Sequence, residues 1–144
     1  MKRILSTAAI AVTAFSSTAQ AEDAKSLVTI LTAAEPQTQL MAMVLTLQAA
    51  KQGAAPHMLL CGPAGDIALK DAPETATAGQ PPKDMSPQGL MQMIQKQPGA
   101  KVEVCAIYLP GKGASPEVLI DGVGVAKPGE MAAAMLKADA RMSF

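Results

Sequence analysis

Short, nearly continuous apolar runs alternate with stretches of helical spacing along most of this chain. The apolar runs, each bounded by turn residues, are Leu27 to Leu31, His57 to Cys61, Val102 to Cys105 and Val123 to Ala126. A short apolar run without polar alternation is typical of a strand that is covered on both faces of its sheet. We therefore predict four short strands.

Helical spacing fills the intervals between these runs. Two Ser-Pro pairs, at Ser86 and Ser115, predict helix starts, because serine caps the first turn and proline fits its first position. The predicted helices cover residues 37–52, 86–97, 115–119 and 129–141. Alternating strands and helices favour a parallel sheet with right-handed crossovers. We therefore predict an α/β fold, a three-layer α/β/α domain with a small, mainly parallel sheet.

A long segment rich in Ala, Pro, Gly and Thr interrupts this alternation at residues 64–84. A short helix is expected at 66–70. Structureless loops of this length are uncommon in compact domains and often line a site. Disorder of residues 72–83 is the alternative, and the sequence leaves both interpretations open.

The first 21 residues are typical of an export signal. A basic start precedes the apolar stretch 4–15, and Ala19-Gln20-Ala21 supplies a cleavage site. A transmembrane anchor would need about 20 consecutive apolar residues, and polar residues interrupt this stretch. We therefore expect a cleaved signal peptide at 1–21 and a single domain at 22–144, located in the periplasm or secreted.

The charge of the mature chain argues against a nucleic-acid partner. The sequence has 12 Lys/Arg and 12 Asp/Glu, and two of the basic residues, Lys2 and Arg3, belong to the signal. Nucleic-acid binding depends on basic side chains that neutralise phosphates. We expect no nucleic acid and, after cleavage of the signal, no membrane association.

Methionine largely takes the place of aromatic residues in this chain. The sequence has ten Met, two Phe, one Tyr and no Trp. Because methionine fills irregular apolar gaps, we predict a core built from Met and Leu. Met41 and Leu45 also widen the apolar face of the first helix, so a second subunit is expected to cover it.

The two cysteines, Cys61 and Cys105, each end a predicted strand. Reactive groups in open parallel sheets gather at the carboxyl ends of the strands. A helical turn after Cys105 would favour its thiolate, which is the nucleophilic form. Glu103 opposes this, because it shares the face of Cys105 on the strand and a carboxylate raises the pKa of a thiol. The alternative is that Cys105 is simply a small buried apolar residue.

A disulfide is a further possibility for these cysteines. Exported proteins with two cysteines commonly contain one. If Cys61 and Cys105 end neighbouring strands, Cα atoms within about 7 Å would permit a bridge. Such a bridge could be a structural staple or a redox-active pair. No C-x-x-C motif is present, so thioredoxin-type chemistry has no direct support.

Copper binding is another alternative, since thioethers and thiolates select Cu(I). The pairs Met41/Met43 and Met91/Met93 lie in predicted helices, where residues two apart point in different directions. This does not favour a shared metal site.

The remaining candidate chemistry is limited. His57, the only histidine, starts its strand and so lies at the opposite end from Cys105, where a surface position is expected. The sequence also has no phosphate-binding motif. We expect no cofactor and no resident metal.

The segment Gly99 to Ala106, with the sequence G-A-K-V-E-V-C-A, resembles the carboxyl half of the DsrE/DsrF-like family. Leu109, the run L-I-D-G-V at 119–123 and Glu130 extend the similarity. In that family a helix leads to G-x-x-V-x-x-C, and a leucine, a short helix and a G-V-x-V strand follow. The amino half, residues 27–69, resembles the first β-α-β unit of the family in a less specific way.

This resemblance implies a three-layer α/β fold and assembly into homo-oligomers, either trimers or hexamers. It also implies that Cys105 carries sulfur as a persulfide, received from one protein and passed to another. We therefore predict a periplasmic DsrE-like sulfur carrier or thiol-redox protein using Cys105. It is expected to be a carrier more than an enzyme, because no general base accompanies the thiol. The alternatives are a non-catalytic homo-oligomeric binding protein with a structural Cys61–Cys105 disulfide, and a Cu(I)-binding protein.

Overall fold

A computed structural model describes residues 24–144 of the chain. The signal peptide predicted at 1–21 lies outside the described residues. The strands are β1 (Ser26–Leu31), β2 (Ala55–Leu60), β3 (Lys101–Cys105), β4 (Gly124–Ala126) and β5 (Ala140–Ser143). The α-helices are α1 (Pro36–Lys51), α2 (Glu74–Thr77), α3 (Pro87–Gln95), α4 (Tyr108–Lys112) and α5 (Pro128–Lys137), with 3₁₀ turns at Gly62–Ala68 and Pro116–Val118.

The described strands form one parallel sheet in the order β4-β3-β2-β1-β5. Leu60 of β2 lies opposite both Leu31 of β1 and Val104 of β3, so the three central strands end level with one another. Helices cover both faces of the sheet. The predicted α/β fold with a parallel sheet is therefore confirmed.

The two faces of the sheet bury different side chains. Helices α1 and α3 cover one face, where the predicted methionine-rich core is found, with Met43, Met58 and Met91 all fully buried. Helix α5 covers part of the other face through a smaller cluster, which is made of Val28, Leu59, Ala126 and Ala138 with Met131 and Met135 at its margin. None of the helices between residues 24 and 144 combines the length and the hydrophobicity that spanning a membrane requires.

Local capping explains where α1 and α3 begin. The carboxylate of Glu35 accepts hydrogen bonds from the backbone N–H groups of Gln37 and Thr38, which lowers the pKa of Glu35. The hydroxyl of Ser86 accepts from the N–H of Gly89 at the start of α3, as its Ser-Pro pair predicted. Unpaired N–H groups at both helix starts are thereby satisfied.

The segment between β2 and α3 has a defined path. The predicted short helix at 66–70 lies too late in the chain, because the 3₁₀ turn begins at Gly62-Pro63, directly after Cys61. Helix α2 then buries Ala76 against the core. This anchoring favours the loop interpretation over disorder for residues 72–83.

The carboxyl-terminal prediction was wrong in two respects. The helix expected to reach residue 141 ends at Lys137, and a fifth strand, β5, follows it. The carboxylate of Asp139 accepts hydrogen bonds from the backbone N–H and the hydroxyl of Ser26, which fixes the start of β5 beside β1. Pairing with the open edge of β1 therefore outweighs the helical spacing of the methionines that continues to Met142.

Candidate functional site

The two cysteines meet at the carboxyl edge of the sheet and form a disulfide. Cys105 is the last residue of β3, and Cys61 directly follows β2. The N–H of Cys61 donates to the carbonyl of Leu31 at 2.9 Å, which continues the pairing of β2 with β1. The Cα atoms of the two cysteines are 5.0 Å apart, within the range of protein disulfides. The structure therefore contains the Cys61–Cys105 disulfide that was one of the alternatives from the sequence.

The two halves of the disulfide differ in exposure. Cys105 is 5% exposed, whereas Cys61 is partly exposed. Cys61 packs at the margin of the smaller core cluster, which also includes Met131 and Met135 of α5. Solvent therefore reaches the bond mainly from the Cys61 side.

The helical turn expected directly after Cys105 starts later than predicted. Helix α4 begins at Tyr108, and Ala106 and Ile107 form a turn between the strand and the helix. Ile107 is 79% exposed. A short helix displaced by two residues gives little support to the proposed stabilisation of a Cys105 thiolate by the helix dipole, because that effect fades within one turn.

A polar cluster joins the two segments that follow the cysteines. The hydroxyl of Tyr108, on α4, donates to Asp66 at 2.6 Å, and Lys112 pairs with the same carboxylate at 2.6 Å. The ammonium of Lys112 also lies 5.6 Å from the centre of the Tyr108 ring. Burial and the bond to Asp66 raise the pKa of Tyr108. These contacts link the turn after Cys61 to the helix after Cys105.

Gly65 allows this link to form. The ring of Tyr108 lies directly against the Cα of Gly65, in the space that any Cβ would occupy. A glycine is therefore required for steric reasons, since Gly65 does not have a positive φ. No local signal in the sequence indicates this contact, which joins residues 43 positions apart on different elements.

A second polar cluster, formed by His57, Lys101 and Glu103, lies on the cysteine-bearing face of the sheet. Nε2 of His57 is 2.7 Å from one carboxylate oxygen of Glu103, and Nζ of Lys101 is 3.0 Å from the other. The side chain of His57 is 17% exposed and that of Glu103 is 7% exposed. The surface position predicted for His57 was therefore wrong, although its register opposite Lys101 does place it at the far end of the strands from Cys105.

This cluster changes the expected influence of Glu103 on the cysteines. The sequence places Glu103 on the face of Cys105, where an isolated carboxylate would disfavour a thiolate. In the structure both of its oxygens have nitrogen partners, one of them the ammonium of Lys101. The ion pair offsets part of the negative charge. Glu103 therefore opposes a Cys105 thiolate less than the sequence alone suggested.

The two side chains of each methionine pair point to different surroundings. Met43 and Met91 are fully buried, whereas Met41 is 52% exposed and Met93 is 40% exposed, so each pair diverges as helical geometry requires. Both cysteine sulfurs are bonded to each other. Among residues 24–144, no group of three or more His, Cys, Asp or Glu side chains is arranged to hold a metal.

Two cavities open away from the cysteines. One, of about 1030 Å³, lies at the amino ends of β1 and β5 and is lined in part by Ser26, Ala49 and Asp139. The other, of about 420 Å³, lies between α3 and the segment before β4, with Gln95 and Asp121 in its wall. Neither of these two cavities has a cysteine in its lining.

Comparison with solved structures identifies the fold. The YchN protein of E. coli superimposes with a TM-score of 0.66 at 20% sequence identity, over 84% of this chain and 99% of YchN. The chain has a DsrE/YchN-like fold. MTH1491, a protein of unknown function from Methanobacterium thermoautotrophicum, superimposes with a TM-score of 0.59 at 14% identity, over 85% of this chain and 100% of its own.

The sequence comparisons add no closer relationship. No family model and no curated protein matches the chain. The similarity to YchN at 20% identity concerns the fold, and a fold hosts more than one function. The function must therefore be argued from the disulfide and its surroundings.

Proposed function

We propose that this chain is an exported DsrE-like protein whose Cys105, once freed from its disulfide, accepts sulfur as a persulfide. The observation that carries the proposal is the position of Cys105, at the carboxyl end of β3 and bonded to a neighbour that is partly exposed. Thiol–disulfide exchange needs access to one sulfur of the pair, and Cys61 provides it. The protein then alternates between a closed disulfide and a dithiol.

The surroundings of Cys105 suit a carrier better than a catalyst. Glu103, which lies on the face of Cys105, is engaged with His57 and Lys101, and the hydroxyl of Tyr108 donates a hydrogen bond to Asp66. None of these groups is free to act as a general base on the thiol. Release of the sulfur therefore depends on the nucleophile of an acceptor protein.

Mass spectrometry tests this function directly. The mature chain is reduced, freed of reductant and exposed to polysulfide, and its mass is then measured. We expect the addition of sulfur on Cys105, its absence in Cys105→Ser and its persistence in Cys61→Ser. Circular dichroism of both variants verifies that they fold. A sulfur gain that remains in Cys105→Ser, or no gain in the wild type, would contradict the proposal.

A second candidate is a non-catalytic binding protein in which the disulfide is only a structural staple. The observation that favours it is the closed bond itself, with Cys105 buried in the domain. A count of free thiols on protein isolated under acid quench from the exporting cell distinguishes the two. A staple predicts none under any growth condition, whereas a carrier predicts thiols when a sulfur source is supplied.

We also propose a homo-oligomer in the periplasm, or outside the cell, as the working form. Its support is apolar surface on the outer sides of α1 and α3, which pack against each other. Met41, Leu45 and Met93 are the exposed residues there. Light scattering after size exclusion measures the assembly, and Met41→Glu should shift it toward the monomer. An unchanged mass for both proteins at the monomer value would refute the oligomer.

A further inference from the structure

We infer that hydrosulfide, HS⁻, loads this protein by opening the closed disulfide, and that the persulfide forms first on Cys61. The inference rests on the proposed sulfur-carrier function and names its substrate. The chain contains two cysteines, and both are in the bond. A closed pair has no thiol with which to accept sulfur, so direct loading of the oxidised protein requires the incoming molecule to open the bond itself. Hydrosulfide opens a disulfide and leaves its sulfur attached in the same step.

The reaction is balanced without any further oxidant or reductant. The sulfur of HS⁻ bonds to Sγ of Cys61, and the bond between Cys61 and Cys105 breaks. The electron pair of the broken bond remains on Sγ of Cys105 as a thiolate, while the proton of HS⁻ stays on the outer sulfur. The disulfide is reduced and the sulfide is oxidised to the level of a persulfide.

The strand order determines which sulfur is attacked. Displacement at sulfur requires the nucleophile to approach in line with the bond that breaks. The line that joins the backbone positions of Cys105 and Cys61 runs across β3 and β2 toward β1, where Thr32 follows the strand. Thr32 is exposed, and its hydroxyl donates to the carbonyl of Phe144 at 2.9 Å. The approach is therefore exposed and polar at Thr32, with Met131 and Met135 of α5 at its margin.

The opposite approach is closed. An attack on Cys105 would come along the line from Cys61 through Cys105, which continues toward β4. Ala126 lies directly opposite Cys105 on β4 and is fully buried. The difference in exposure between the two cysteines agrees with this asymmetry. Cys61 is thus the sulfur attacked, and Cys105 is the leaving group.

Two features of the environment act on the leaving thiolate of Cys105. Cys105 is buried, and burial disfavours a thiolate. The nearest carboxylate on its strand, Glu103, has its charge offset by Lys101 and is bonded to His57. The thiolate therefore does not face an uncompensated negative charge at the moment that the bond breaks.

The test uses the oxidised wild-type mature chain with no reductant other than sodium sulfide. Samples are alkylated at the earliest times, before sulfur can exchange between the cysteines, and peptides are sequenced by mass spectrometry. We expect one added sulfur on Cys61 and simple alkylation of Cys105. An unopened disulfide, or added sulfur on Cys105 at the earliest time, would overturn the inference.

Two further arms separate this inference from the proposed function. Cys61→Ser and Cys105→Ser cannot form the internal disulfide, so both should lose loading by sulfide when kept reduced beforehand. Cys61→Ser should still gain sulfur from polysulfide on Cys105, because that reaction needs only the thiol. If polysulfide loads the reduced protein while sulfide fails on the oxidised protein, the carrier function stands and the inference is refuted. If sulfide loads Cys61 while polysulfide fails on the reduced protein, the inference stands and the carrier function of Cys105 is refuted.

Discussion

Reducing the bond between Cys61 and Cys105 should lower the free energy of unfolding by a predictable amount. The bond joins residues 44 positions apart. In the chain-entropy model, closing a loop of this size removes disorder from the unfolded chain and stabilises the fold by about 4 kcal/mol. Pairing of β2 with β3, which does not depend on the bond, keeps the two segments adjacent in the folded state.

Urea titration with and without dithiothreitol measures this effect. Circular dichroism is the suitable probe, because the chain has no tryptophan and one tyrosine. With a slope of about 2 kcal/mol per molar urea, a loss of 4 kcal/mol moves the midpoint down by about 2 M. The double variant Cys61→Ser/Cys105→Ser serves as the control, and dithiothreitol should leave its midpoint unchanged.

Two results would refute this reasoning. Identical midpoints for the oxidised and reduced wild type would show that the bond does not constrain the unfolded chain. A shift in the double variant would show that the reductant acts elsewhere. If the expected shift appears, a thermodynamic cycle requires the folded protein to resist reduction more than the unfolded chain by the same free energy. Only a strong thiol reductant, or a nucleophile in excess, would then open the site.

Two further predictions concern the polar cluster of Asp66, Tyr108 and Lys112. Tyr108, the only tyrosine, has a raised pKa, so its alkaline absorbance change should occur at higher pH in the folded than in the urea-unfolded protein. Above about pH 10 the unfolded chain releases this proton while the folded protein still holds it. The free energy of unfolding should therefore fall as pH rises beyond that value. Tyr108→Phe should remove this part of the fall. Coincident absorbance curves would contradict the burial of the hydroxyl. Gly65→Ala should destabilise the fold by about 1–3 kcal/mol in a urea titration, because the added methyl meets the Tyr108 ring. Gly111→Ala, at an open position on α4, is the matched control, and equal midpoints for the two variants would refute the steric argument.

The sequence predicted the centre of the fold well because its signals are local there. The apolar runs of β1, β2 and β3 are strands that are covered on both faces, and serine followed by proline marks the start of α3. Such signals need no knowledge of the neighbouring element. The prediction that Cys61 and Cys105 each lie at the carboxyl end of a strand followed from the same runs.

The errors occurred where a distant partner decides the structure. Strand β5 is short and mostly exposed, and Met142 continues the helical spacing of the methionines in α5. It is a strand because it pairs with the open edge of β1. The pairing of His57 with Glu103 depends on the register of β2 against β3. The alternation of side chains along each strand could have indicated this pairing, because it places His57 and Glu103 on the face that carries the cysteines. The contact of Tyr108 with Asp66 joins a short helix to a 3₁₀ turn and left no such signal.

The pairing of β5 with β1 has a practical consequence for fusion proteins. Phe144 donates its N–H to the carbonyl of Ile30 and accepts from the N–H of Thr32, so residues joined after it emerge at the edge of the sheet that carries Cys61. An affinity tag or fluorescent partner attached there would obstruct the open approach to the disulfide. Attachment before Ser26, at the opposite edge, would leave that approach free. Assays of the proposed sulfur loading therefore call for labels placed between the predicted cleavage site, after Ala21, and Ser26.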